Sequence, residues 1–183
     1  MGRRYSEITD ELRRFIDEQK LFFVATATAD SRMNLSPKGM DSLRVLGKNS
    51  LLWLNLTGSG NETSAHVQQD PRMTIMFCAF EGAPMILRLY GSARVFHPYD
   101  PEWGELIPNF KPLPGARQIF AFSVDLVQTS CGMAVPLMNY VADRDQLQHW
   151  AERKGEEGLR QYWFDKNQQS LDGKPTYILG KDA

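Results

Sequence analysis

The sequence predicts an α+β fold, a six-stranded antiparallel barrel with flanking helices and a C-terminal helical extension. Three observations lead there. Six short runs are rich in β-branched and aromatic residues. The early runs follow one another too closely for the helical crossovers a parallel sheet needs, which disfavours a doubly wound fold. Helical periodicity is confined to the two ends of the chain. Closure of such a sheet removes its exposed edges.

From Tyr5 to Gln19 the apolar residues Ile8, Leu12, Phe15 and Ile16 recur at helical spacing, with Ser6 or Thr9 placed to cap the start. Strands are read at 21–28 and 33–40, the second carrying Pro37 and so suited to an edge or a bulge. A third strand at 50–56 runs into the turn T-G-S-G-N-E-T, residues 57–63, and a short helix that Asp70 and Pro71 end. Residues 72–80 and 86–96 form a hairpin. Prolines 98, 101, 108, 112 and 114 then break the chain into an irregular crossing with a short helix near 102–107. The last strand, 118–128, places Phe120, Phe122, Val124 and Leu126 on one side. A helix over 143–154 turns Leu147, Trp150 and Ala151 inward, and a further short helix follows Gly155.

The chain has 183 residues, 42% hydrophobic and 23% charged, which suffices for a core without staples and lies far from disordered composition. A net charge of −1 supplies no positive field for nucleic acid or an anionic membrane. No apolar run approaches the roughly 20 residues of a membrane span, so a cytoplasmic location is expected. Cys78 and Cys131 permit one disulfide, with free thiols the expectation, and no histidine or cysteine spacing marks a metal site.

Two segments carry candidate chemistry. In the 57–63 turn, Gly58 and Gly60 let backbone approach a ligand, while Thr57, Ser59, Asn61 and Thr63 offer hydrogen bonds at a helix start. This suits a phosphate, or is an ordinary capped turn. The run N-L-S-P-K-G, residues 34–39, adds Ser36 and one cation, Lys38, which is a solvated lysine unless the turn lies beside it. Cys131 has no local base to activate it, and His66 has no partner at ligand spacing. Asp172 and Gly173 read as a tight turn, with a ligand-lining role as the alternative. Trp150 and Trp163 read as packing residues.

Taken in register, N-L-S-P-K-G, then W-L-N-L-T-G-S-G-N-E-T-S-A-H from Trp53, then D-P-R-M-T-I-M-F from Asp70 resemble the pyridoxamine 5′-phosphate oxidase-like FMN-binding proteins. The resemblance implies a split-barrel homodimer with FMN in a groove between subunits. It places the phosphate near residues 33–38, 53–57 and 61–64, which adds Asn34, Asn55 and Ser64 to the candidates. Better-known members supply a basic pair from the third-strand turn. Here Thr63 and Ser64 stand in that place, leaving Lys38 as the nearby cation.

The C-terminal motifs S-C-G-M-A-V-P from Ser130 and Y-W-F-D-K-N-Q-Q-S-L-D-G-K-P-T from Tyr162 resemble an extension found in an uncharacterised branch, without the substrate motif of the true oxidases. The resemblance also implies that the Cys131 turn packs near the flavin ring. Expected boundaries are a barrel domain at 1–130 and an extension at 131–183. The expected function is an FMN-dependent oxidoreductase moving a hydride or electron pair between flavin and a small organic or nicotinamide donor. The alternative is a non-catalytic flavin- or haem-binding module. No catalytic side chain is singled out.

Overall fold

A computed structural model describes residues 2–181. Its centre is one antiparallel sheet: β1 (Arg4–Tyr5), β2 (Phe22–Thr26), β3 (Asn34–Lys38), β4 (Leu43–Gly47), β5 (Ser50–Leu56), β6 (Arg72–Cys78), β7 (Ile86–Phe96) and β8 (Ala116–Ser130). The helices are α1 (Asp10–Glu18), α2 (Glu62–Gln69), α3 (Trp103–Leu106) and α4 (Gln146–Lys166). The strand order is β3-β2-β6-β7-β8-β5-β4, with β1 also on β8.

Two expectations need correction. The sheet has eight strands rather than six, and it does not close. The extra strands are β1 and β4. Thr9 caps α1 by accepting from the Leu12 N–H, so the helix starts after Thr9. Arg4 and Tyr5 instead pair with Gln128 and Val127, on the stretch of β8 beyond the reach of β5. The short run L-R-V-L-G pairs with β5 as β4.

β3 and β4 are the two ends of the sheet, yet only residues 39–42 separate them in the chain. A link that short spans no more than roughly 3.5 Å per residue, so the sheet must curl until its ends approach. No ladder joins them among the described residues, and the barrel stays split between β3 and β4. Pro37 lies on β3, an edge strand, where one fewer ladder donor is tolerated.

Inside the curl, Trp53 stacks on Phe120 with ring centroids 4.6 Å apart and meets Phe22 edge-on. β5 is covered on both faces: Leu51 and Trp53 join this core, whereas Leu52 and Leu54 pack with Phe110 and Ile119 beneath the proline-rich crossing. This accounts for its unbroken apolar run.

β8 pairs Gly91 with Val124 and Tyr90 with Leu126, leaving Asp125 as a bulge. The bulge reverses the inward phase, so Val127 is fully buried and Leu126 only half-buried, against the simple alternation expected. α4 breaks at Gly155, whose φ of 63° interrupts the helix as its position in the sequence suggests. Cys78 is buried and Cys131 exposed, both as free thiols. Among the described residues, no helix is long and apolar enough to cross a membrane.

A Cβ at Gly91 would overlap the Ser123 carbonyl across the bulge. Gly91→Ala is therefore expected to cost about 3 kcal/mol, read as a lower midpoint in urea unfolding.

Candidate functional site

Where the barrel splits, β3 and β5 face one another across a cleft of about 560 Å³. Asn34, Ser36 and Lys38 line it from β3, and Trp53, Asn55 and Leu56 from β5. Alternation along β3 puts these three polar side chains on one face and Leu35, 65% exposed, on the other. The turn through Gly58, Ser59 and Gly60, with Asn61, Glu62 and Thr63 at the start of α2, forms the next wall. The last wall comes from Lys166, Gln169, Ser170 and Leu171 at the far end of the chain.

Of the nine residues singled out from sequence, seven meet here: Asn34, Ser36, Lys38, Asn55, Ser59, Asn61 and Thr63. Asn34 Nδ2 donates to Thr63 Oγ1 at 3.1 Å, tying β3 to α2. Thr57 and Ser64 do not line the cleft. The Thr57 hydroxyl donates to the Gly115 carbonyl and accepts from Trp163 Nε1. Ser64 Oγ donates to the Thr176 carbonyl and accepts from Gln118 Nε2. Both support the walls from behind. Cys131 and Asp172 also lie off the lining; Asp172 accepts from the Arg32 backbone N–H in the turn expected there.

Arg117 was not anticipated. It opens β8 and is only 3% exposed, yet it lines the cleft. Nη1 donates to Asn167 Oδ1 and Nη2 to the Gly60 carbonyl, each at 2.8 Å, while Nε has no partner among the described residues. Burial pulls the guanidinium down to about 10, so it remains cationic at neutral pH. Across the cleft, Lys38 Nζ lies 5.2 Å from the centroid of the Trp53 ring. Burial first, and the Arg117 charge second, bring its ammonium down to about 8.

Among the described residues, neither cation has a carboxylate oxygen within the 4.0 Å of an ion pair. Glu62 lines the same cleft, but its carboxylate accepts from the Leu171 N–H. Asn61 Oδ1 is buried and has no partner among the described residues. Lys38 and Arg117, which repel each other, with Lys166 in the same lining and the Arg117 Nε–H unpartnered, are the electrostatic complement of an oxyanion, whereas the Asn61 Oδ1 acceptor opposes one. The only sequence signal for Arg117 is a charge just before the apolar run Ile119–Phe122 of the last strand.

Beneath this wall lies a buried polar layer. Asn55 donates to Gln118 Oε1 at 3.0 Å, and His97 Nε2 lies 3.2 Å from the Thr176 carbonyl and 3.1 Å from Gln118 Nε2. His66, 1% exposed, packs against Thr26 Oγ1 through Nδ1. Trp150 meets Tyr162 edge-on in the helical layer outside.

The fold is an α+β split barrel, an antiparallel sheet left open between β3 and β4. The family described as pyridoxamine 5′-phosphate oxidase matches residues 8–131, and the chain belongs to it. A similar relative is the pyridoxamine 5′-phosphate oxidase family protein ustO of Aspergillus flavus, 35% identical over 191 residues that take in 93% of this chain and 76% of that protein. Among solved structures, HupZ of Group A Streptococcus superposes with a TM-score of 0.54 at 18% identity, covering 67% of this chain and 99% of the other. A Lactobacillus delbrueckii protein described as a candidate pyridoxamine 5′-phosphate oxidase gives 0.53 at 19% identity, covering 67% and 94%. At these identities the two structures establish the fold.

His97 is 3% exposed, and burial holds its imidazole below the ordinary 6.5, with Asp100 opposing in part. The unfolded chain takes up a proton near 6.5 while the folded protein resists it, so protons favour unfolding below that pH. Stability is expected in full above about 6.5 and to fall as the pH drops through the lower folded value. Thermal midpoints measured from pH 7.5 to 5 should decline more steeply for the natural protein than for His97→Gln.

Proposed function

We propose that the cleft holds FMN by its phosphate and that the protein is a flavin-dependent oxidoreductase. The observation that carries this reading is the pairing of Lys38 and Arg117 in one cleft without a carboxylate partner. A phosphate monoester brings about −1.5 to −2 charge at neutral pH and three acceptor oxygens, which matches two cations and their hydrogen-bonding neighbours. Lys38, Ser36, Asn55, Ser59 and Thr63 supply side-chain contacts, Asn61 supplies its backbone N–H because its Nδ2 is taken by the Asn167 carbonyl, and Arg117 supplies charge. Membership of the pyridoxamine 5′-phosphate oxidase family supports the same ligand class.

Among the described residues, the lining contains no histidine, cysteine, methionine or tyrosine to serve haem iron as an axial ligand of the usual kinds. Met33 and Leu35, 86% and 65% exposed beside the cleft, suit burial against a second copy, and the reading includes a homodimer with flavin near its interface.

When bound, the flavin itself accepts and returns a hydride or electron pair, so the protein's task is to hold, orient and shield it. Lys38 and Arg117 neutralise the phosphate, Trp53 backs the Lys38 ammonium, and the Asn34–Thr63 bond keeps β3 against α2. The donor is a small organic molecule or a reduced nicotinamide.

Purified protein saturated with FMN is expected to show a bound-flavin spectrum that bleaches with NADH or NADPH and recovers in air. A bound flavin indifferent to every donor would leave a carrier, and a protein that takes up haem and refuses flavin would end the proposal. Lys38→Ala should weaken FMN binding by about 1.5–3 kcal/mol, measured by flavin fluorescence titration. Because a bound phosphate favours the protonated ammonium, the natural protein should lose FMN affinity as the pH rises past about 8. Lys38→Ala should lack that decline, and unchanged affinity in this variant would remove Lys38 from the site.

A further inference from the structure

Asn167 ends α4 and is fully buried, with every polar group engaged. Its Oδ1 accepts from Arg117 Nη1 at 2.8 Å, and its Nδ2 donates to the carbonyls of Gly58 at 3.1 Å and Ser59 at 3.4 Å. Its own carbonyl accepts from Thr176 Oγ1 and from Asn61 Nδ2. Asn167 therefore grips the turn from 109 residues away. Arg117 extends the grip to the Gly60 carbonyl.

In a trans peptide the carbonyl of one residue and the N–H of the next point in opposite directions. Carbonyls of Gly58, Ser59 and Gly60 held toward Asn167 and Arg117 turn the N–H groups of Ser59, Gly60 and Asn61 the other way. None of those three N–H groups meets a protein acceptor among the described residues, and all three residues line the cleft. Successive free N–H groups make an anion-binding concavity. The segment after Asn167 is tied down on the same elements: the Leu171 N–H donates to Glu62, Lys174 Nζ donates to Asp30 and Gln69, and Gln68 Nε2 donates to the Thr176 carbonyl.

We propose that Asn167 is a positioning residue that sets selectivity for a phosphorylated ligand, by holding the 58–60 carbonyls back and Arg117 in place so that N–H groups and charge meet the phosphate. The inference rests on the FMN reading of the same cleft. It lies outside the residues 8–131 that match the family, in a part of the chain that barrel chemistry alone does not implicate.

The experiment compares FMN with riboflavin, which lacks the phosphate, on the full chain. Asn167→Ala should lower the FMN-to-riboflavin affinity ratio by roughly tenfold or more while riboflavin affinity stays the same. Asn167→Asp keeps the shape and the Arg117 contact, but loses the donor to the turn and adds a negative charge, so its ratio should fall further. It also serves where the alanine variant folds poorly. Equal losses for both flavins, or an unchanged ratio, would overturn the proposal by showing a merely structural role. Inorganic phosphate separates it from the reading beneath it. Phosphate-induced thermal stabilisation that Asn167→Asp abolishes, in a protein that binds neither flavin, would retain the positioning role and end the FMN reading. No flavin binding and no phosphate effect in the natural protein would overturn both.

Discussion

A guanidinium buried without a carboxylate is costly, and the candidate site is arranged around the way Arg117 is held. Its contacts come from the Asn167 side chain and the Gly60 carbonyl, neutral acceptors that stabilise the cation without cancelling its charge. A carboxylate in place of Asn167 would stabilise Arg117 more and leave less positive potential in the cleft. The same two contacts join three distant parts of the chain: the start of β8, the turn before α2 and the end of α4. Charge, turn and C-terminal segment therefore depend on one another.

The split in the barrel supplies the cleft that this charge lines. A sheet whose terminal strands are linked by residues 39–42 must curl, and a sheet that curls without pairing its ends leaves an opening. β3 brings Lys38 to that opening on an edge strand, above the Trp53 ring that β5 buries against Phe120. The lysine stem can rest on apolar surface while the ammonium faces the cleft. Hydrophobic packing of Trp53 and placement of the Lys38 charge are thus one arrangement.

Six strands and the terminal helices were legible because their periodicities are local properties of the chain. β4 and β1 were not: one is short, and the other is two residues whose strand character exists only because β8 has a vacant edge beside them. The alternation of β8 was legible up to Val124 and failed at Leu126, since a bulge is decided by the partner strand, here by Gly91 under the Ser123 carbonyl. Seven candidate residues line the cleft, whereas Thr57 and Ser64 turn behind it. Strand and helix phase alone do not reveal which hydroxyl a neighbour such as Trp163 or Gln118 will claim.

The sequence by itself determined the class of fold, the order of its elements, the family resemblance and the two segments that form the cleft's near walls. It left the cleft with one cation, Lys38. Tertiary structure decided that the barrel stays open and that Arg117 and Lys166 join Lys38 in the lining. It also decided that residues from Lys166 to Leu171 close the far wall. The reason is physical: hydrophobic period and turn chemistry act over a few residues and can be read along the chain. The charge of a site is a sum over groups brought together from anywhere, and the Asn167 hold on Gly58 spans 109 residues that no local pattern connects.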